Sequence, residues 1–368
     1  MTVAKKNRKG MKRSPEKPRR LRSANNLKSL RRAARPQEAL RMDRPRHQPE
    51  FPTLADIETA QSRIAGVACR TPLVDSPALS KALGREVYLK LECFQPIRVF
   101  KIRGAYNKVS QIKERNIVAI SSGNHGIAVA YASRAFGKRC TVILPENPVK
   151  EKADAIAEYG AEVLKFGKFH NEREAKAQQL IRETGAALVH PFNDPLVIAG
   201  QGTCGLEITE QLSDFDSIVV PVGGGGLISG IAIAAKSRMP RVKVFGVEPT
   251  GAAKLKAALA AGKVVTVENP HSIADGLMPP SVGDLTYKIC SKLVDGVFTV
   301  SDEEILAGMK AMIRGARVFP EPSGAAGLAA ILANRGVDRL GKRVVIVVSG
   351  GNVSQKLLAQ VLTEISAA

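Results

Sequence analysis

The chain has 368 residues, 44% hydrophobic and 24% charged, with 55 Lys+Arg against 34 Asp+Glu. That length provides for two or three domains with ample core, and ordinary apolar and charged fractions exclude global disorder. No run of about 18 apolar residues occurs, which excludes a membrane-spanning helix. The five cysteines are scattered without a CxxC pair, which argues against a disulfide framework or zinc site and for a reducing, cytoplasmic setting.

The charge is unevenly placed. Residues 1–50 hold 17 Lys+Arg and four acids, so most of the net +21 sits in one tail and the remainder is mildly basic. The tail is rich in Arg, Lys and Pro and lacks apolar periodicity, so no fold of its own is expected there. Three readings stay open. It is an arm meeting nucleic acid or anionic lipid through counterion release, a targeting peptide, or a leader ahead of a true start at Met42.

From Phe51 the pattern changes. Thr53 opens a capped helix, residues 88–91 read as a short strand, and 101–114 carry helical spacing through Ile102, Ala105, Val109 and Ile112. Residues 117–190 then alternate. Strands are predicted at 117–120, 140–144, 161–166 and 187–190, with helices at 128–136, 149–159 and 172–183 between them. Gly137, Gly160 and Gly185 in the short links mark parallel βαβ units with right-handed crossovers. Apolar runs at 217–222, 242–247 and 344–348 read as strands buried on both faces. The expected architecture is α/β: two open, twisted parallel-sheet domains, the smaller (116–193) inserted in the larger (51–115 and 194–368). Ligands in such folds bind at the carboxyl ends of strands, so the loops there carry the candidate chemistry.

Four loops meet that condition. Gly223, Gly224, Gly225 and Gly226 lie between a buried strand and a helix at 228–236, and can aim several N–H groups at one anion. The run is neither a Walker A loop nor a GxGxxG fingerprint. SSGNHG (121–126) follows the strand at 117–120 and suits either a helix cap or a substrate carboxylate. SGGN (349–352) offers a hydroxyl at a strand end, with glycines that admit a flat ligand. FKIRGA (100–105) puts a lysine at a helix start, a poor place for a positive charge, yet beside a phosphate cradle its amine can form an imine with a carbonyl cofactor. The plain alternatives are a flexible link, a helix cap, a glycine-rich turn and a solvated lysine.

FKIRGA, SSGNHG, HPFNDPLVIAGQGT, GGGG, IADG, EPSGAAG and SGGN occur in that order over about residues 53–354. Together they resemble the fold-type-II (tryptophan synthase β-like) pyridoxal-phosphate enzymes, specifically the serine/threonine dehydratase and serine racemase family. The resemblance implies that Lys101, beside Phe100, is the Schiff-base lysine and base. Asn124 would meet the cofactor's phenolic oxygen, residues 223–226 its phosphate, and Ser349 its pyridine nitrogen. Ser121, Ser122, Gly123, Asn124 and His125 would receive the substrate carboxylate. The implied activity is β-elimination of a β-hydroxy amino acid such as L-threonine or L-serine to a 2-oxo acid and ammonia, by a homodimer away from membranes. Ser122 also stands where a racemase needs a second base on the opposite Cα face, so an amino-acid racemase remains the alternative. Glu321, in EPSGAAG, lies near the implied site without an assigned role.

Two departures from the family pattern matter. Ile97-Arg98-Val99 replaces a Ser/Thr-Gly-Ser-like run. Arg98 either points to solvent or selects an acidic β-substituent, as in 3-hydroxyaspartate; phenylserine is a further candidate substrate. Relatives also often hold a divalent metal with a Glu, a backbone carbonyl and an Asp. Here Glu248 and Ala252 align, but Lys254 stands in the place of the second acid, so weak or absent metal dependence is expected. Only 16 residues follow Asn352, so no C-terminal regulatory domain is expected.

Overall fold

A computed structural model describes residues 51–121, 123–148 and 150–367. The basic tail with Met42, together with Ser122, Val149 and Ala368, lies outside the described residues.

Thr53 caps α1 (Leu54–Ile64): its hydroxyl accepts the Asp56 N–H, and the Asp56 carboxylate accepts the Thr53 N–H. β1 (Leu73–Asp75), α2 (Pro77–Leu83) and β2 (Glu86–Leu91) lead to α3 (Lys101–Val109). The spacing predicts this last helix to residue 114, but it stops at Val109. The N–H groups of Gln111 and Ile112 turn back to the carbonyls of Lys108 and Val109, three residues earlier. Ile112 still packs on the core, which explains why its spacing reads as helical.

The predicted alternation follows as β3 (Asn116–Ile120), α4 (Asn124–Ala135), β4 (Arg139–Leu144), α5 (Lys150–Glu158), β5 (Glu162–Lys165), α6 (His170–Thr184) and β6 (Ala187–Leu188). These strands form one parallel sheet in the order β5-β4-β3-β6. The chain continues through α7 (Pro195–Gln211), β7 (Ser217–Pro221), α8 (Gly226–Arg238), β8 (Lys243–Pro249), α9 (Lys254–Ala261) and α10 (Asp284–Leu293). It closes with β9 (Gly296–Val300), α11 (Asp302–Ala316), α12 (Pro322–Leu332), β10 (Arg343–Val348) and α13 (Gln355–Ser366). The second sheet runs β1-β2-β10-β7-β8-β9, parallel except for β1, which pairs antiparallel with β2. The architecture is thus α/β, with the smaller sheet inserted between β2 and β7 of the larger. β1 and β9 were not foreseen. Three residues are too few to show a period, and β9 is only half-buried.

Burial on both faces explains the continuous apolar runs. Val219, Ile346 and Val348 pack with Leu328 and Ala329 of α12, while Ile218, Val220, Val345 and Val347 pack with Ile228 and Ile231 of α8. The strand order also gathers the loops. β2, β10 and β7 are parallel neighbours, so their carboxyl ends deliver the segment leading to Lys101, then SGGN, then the four glycines to one edge. In the smaller sheet, neighbours β3 and β6 likewise deliver SSGNHG and residues 190–194.

A buried ion network ties these pieces together. The Arg103 guanidinium donates to Glu92 at 2.7 and 2.8 Å and to Glu207 at 2.7 and 2.9 Å. Lys90 donates to Glu207 at 2.5 Å and to the Thr71 carbonyl at 2.8 Å. Two cations balance two carboxylates, all shielded from water. Burial alone would raise the Glu92 carboxyl, but the charge and hydrogen bonds of Arg103, with help from Lys90 and Thr71, outweigh it and hold it down at about 2. Its contribution to stability is therefore complete above the ordinary carboxylate range and is lost only as pH falls toward that value. Arg103→Met would strand two carboxylates with one ammonium. Urea denaturation should register a loss of about 3–5 kcal/mol, whereas a loss below about 1 kcal/mol would show that the network does not bear on stability.

Candidate active site

Lys101 opens α3, and the residues before it are zipped to the SGGN loop. The Phe100 N–H donates to the Ser349 carbonyl at 3.1 Å, the Gly351 N–H donates to the Arg98 carbonyl at 2.8 Å, and Val99 bridges Gly350. This places Lys101 and Ser349 side by side. The Lys101 ammonium lies 5.2 Å from the Phe100 ring centre and donates to the Pro191 carbonyl at 2.7 Å. Burial lowers its pKa from 10.5 to about 8. The Lys101 side chain is half-buried and held by a backbone carbonyl, unlike the freely solvated lysine of the plain alternative. Ser349 is buried.

The residue after Pro191 reaches the glycine loop. A Cβ on Gly224 would stand 2.1 Å from the Phe192 ring, and one on Gly226 would stand 3.1 Å from its Cα. One on Gly223 would meet the Gly276 carbonyl at 2.8 Å. Gly225 has φ +91° and lies against Thr286, whose hydroxyl donates to the Gly224 carbonyl at 2.8 Å. Gly276, Phe192 and Thr286 thus close on the loop from three sides, Phe192 on both Gly224 and Gly226, which a flexible link would not need. The loop enters α8 at Gly226, so its N–H groups and the helix start converge where an anion would bind.

SSGNHG forms the opposite side. The Ser121 hydroxyl accepts the N–H groups of Gly123 at 3.0 Å and Gly126 at 2.9 Å. Ser121 thus serves the start of α4 as the cap alternative expects. His125 donates its Nε2–H to the Val189 carbonyl at 2.8 Å. Burial, then the nearby Lys101 charge, lowers its pKa to about 3, so the ring is neutral. The Asn124 amide donates to both oxygens of Glu321 at 2.8 and 3.0 Å and accepts from Asn352 at 2.9 Å. Ser122 lies outside the described residues.

Sequence reasoning left Glu321 without a role and missed Phe192, Lys152 and Asp275. Burial raises the Glu321 carboxyl to about 7, against the lowering effects of Lys152 and Asn124. Lys152 pairs with Asp275, and its stem covers Gly123, where a Cβ would stand 2.6 Å from Lys152 Cδ. Asp275 and Gly276 belong to the IADG motif, whose position among the others was a usable signal. Glu248 and Ala252 do meet, but around the Lys254 ammonium.

Residues 64–350 match the family described as pyridoxal-phosphate dependent enzyme. The chain belongs to this family. It is 42% identical to the L-threonine ammonia-lyase of Thermotoga maritima over 316 residues, covering 85% of this chain and 78% of that one. It is 37% identical to the L-threo-3-hydroxyaspartate ammonia-lyase of Saccharomyces cerevisiae over 316 residues, or 85% and 97% of the two chains. The structure of maize serine racemase superposes with a TM-score of 0.81 at 37% identity, over 86% of this chain and 98% of that one.

The residues present fit the family's cofactor. The N–H groups at the start of α8 would hold its phosphate, the Lys101 amine would meet its carbonyl, and Ser349 would face its ring. A methyl group at Gly224 would invade the Phe192 ring. Gly224→Ala should therefore weaken pyridoxal-phosphate binding about tenfold or more in a spectroscopic titration; unchanged affinity would move the phosphate away from this loop.

Proposed function

We propose that this protein is a pyridoxal-phosphate-dependent ammonia-lyase that converts L-threonine or L-serine to the 2-oxo acid and ammonia. The observation that carries this reading is the partly buried Lys101 amine. It is held at the Pro191 carbonyl, one residue from the ring that packs on the glycine loop. Bound there, pyridoxal phosphate supplies a carbonyl for the amine and a conjugated ring that stabilises negative charge at the substrate Cα.

The residues divide the remaining work. The N–H groups of residues 223–226 hold the phosphate, and those of 121–125 left free by the Ser121 cap hold the substrate carboxylate. With the cofactor bound, Lys101 would join its carbonyl as the unprotonated amine, be released when the substrate's own amine takes its place, and then act as the base that takes the Cα proton and returns it to the departing hydroxyl. The β-hydroxyl departs as water, and a second water releases the nitrogen as ammonia. Ser349 offers the ring nitrogen a neutral hydroxyl. A serine there, in place of a carboxylate, would not hold a proton on the ring nitrogen, which would favour elimination over amino-group transfer. Asn124, which donates to Glu321, would also be placed to hold a cofactor oxygen, and the Glu321 carboxyl, raised by burial to about 7, could accept or return a proton.

In this reading residues 116–193 form the small domain, and 51–115 with 194–368 the large one. The protein works as a homodimer in the cytoplasm, a setting suited to five free cysteines of which four are buried. No described helix is long and apolar enough to cross a membrane.

The test is turnover of L-serine and L-threonine with detection of 2-oxo acid, ammonia and product chirality. Lys101→Ala should lose at least about a thousandfold in kcat. Turnover surviving that substitution would end this reading, and D-serine as the main product would favour the racemase. For the cofactor-free chain, the rate of cofactor uptake should rise with pH to a midpoint of about 8, because only the neutral amine attacks; a midpoint near 10.5 would show a solvated lysine.

Arg98 favours a second substrate class. It is exposed, three residues before Lys101, and holds φ +58°, a conformation that suits glycine better. Arg98→Gly should keep threonine turnover while lowering kcat/KM for 3-hydroxyaspartate about tenfold or more, the worth of one charge-assisted contact. Unchanged selectivity would assign Arg98 to solvent.

A further inference from the structure

Lys254 has no exposed surface, yet its Nζ donates to three backbone carbonyls, Val222 at 3.0 Å, Ala252 at 2.9 Å and Leu277 at 2.7 Å. Three acceptors require three N–H bonds, which an ammonium has and a neutral amine lacks. Glu248 Oε1 lies 3.3 Å away and supplies the countercharge. That carboxylate is itself fixed by the N–H groups of Leu255 and Lys256, each at 2.9 Å. The result is a dry cage of four oxygens around one positive nitrogen.

Its location matters more than its chemistry alone. Val222 is the residue before Gly223. Leu277 follows Gly276, whose carbonyl closes over Gly223. One nitrogen therefore ties the entrance of the glycine loop to the 275–277 turn. A hard divalent cation would seek these same oxygens at about 2.3–2.6 Å, and the ammonium already occupies their centre. The family's metal does not fit here.

We propose that the Lys254 ammonium is the resident cation of the phosphate loop, taking the place of a divalent metal and setting the loop's shape for the cofactor. Lys254 is a positioning residue, acting through Val222 and Leu277. The inference rests on reading residues 223–226 as the phosphate cradle.

Calorimetric titration of the holoprotein with calcium or magnesium should show no specific site, and EDTA should leave pyridoxal-phosphate affinity within about twofold. Lys254→Met, confirmed folded by circular dichroism, should lose about tenfold or more in cofactor affinity, unrelieved by either cation. Lys254→Asp adds a second carboxylate to Glu248 and the carbonyl oxygens. It should bind calcium, and calcium should restore most of the lost affinity.

Three results would overturn the proposal: a single calcium site in the wild type that Glu248→Gln removes, a folded Lys254→Met with unchanged affinity, or a folded Lys254→Asp indifferent to calcium. Should neither lysine variant fold, the wild-type titration decides. Failure of the wild type to bind pyridoxal phosphate would refute the cradle, while the calcium titrations would still report on Lys254.

Discussion

The Arg103 guanidinium, locked between Glu92 and Glu207, is the contact on which the rest of the site depends. Glu92 follows β2, Arg103 sits in the first turns of α3, and Glu207 lies near the end of α7. Their union therefore fixes α3 against the large sheet. Lys101 is two residues from Arg103, so its amine inherits that placement. A guanidinium suits this duty because its planar fork engages both carboxylates with paired hydrogen bonds, which a lysine could not do. Burial makes the network costly to break and the lysine beside it cheap to deprotonate.

The candidate loops converge because of strand order. Segments far apart in sequence meet where parallel neighbours end: β2, β10 and β7 in one sheet, β3 and β6 in the other. The loop at 190–194 joins the two groups. Pro191 holds the amine, Phe192 covers the glycines, and Asn193 accepts the Leu285 N–H at 2.9 Å. Asp194 caps α7 and pairs with Lys108 of α3 at 2.8 Å. The lysine and the cradle are thus positioned by one short stretch of chain.

Much of this was legible in the sequence. Buried strands announce themselves as apolar runs, and four glycines at a strand end have few other physical reasons to exist. The motif order carried the family. What escaped was long-range. Phe192 has no local mark that it will lie on Gly224, and Glu321 acquires its raised pKa from burial, with Asp275 adding to it, against Lys152 and Asn124. Lys254 could be read as an anomaly, but its three carbonyl partners come from separate turns. The end of α3 was missed because Ile112 keeps its core contact after the helix has stopped.

The central claim is that the Lys101 amine is the covalent anchor for pyridoxal phosphate. Borohydride reduction of the reconstituted protein, followed by peptide mass spectrometry, tests it most directly. The account predicts the added mass of the reduced cofactor on Lys101. No stable label, or a label confined to another lysine, would contradict it.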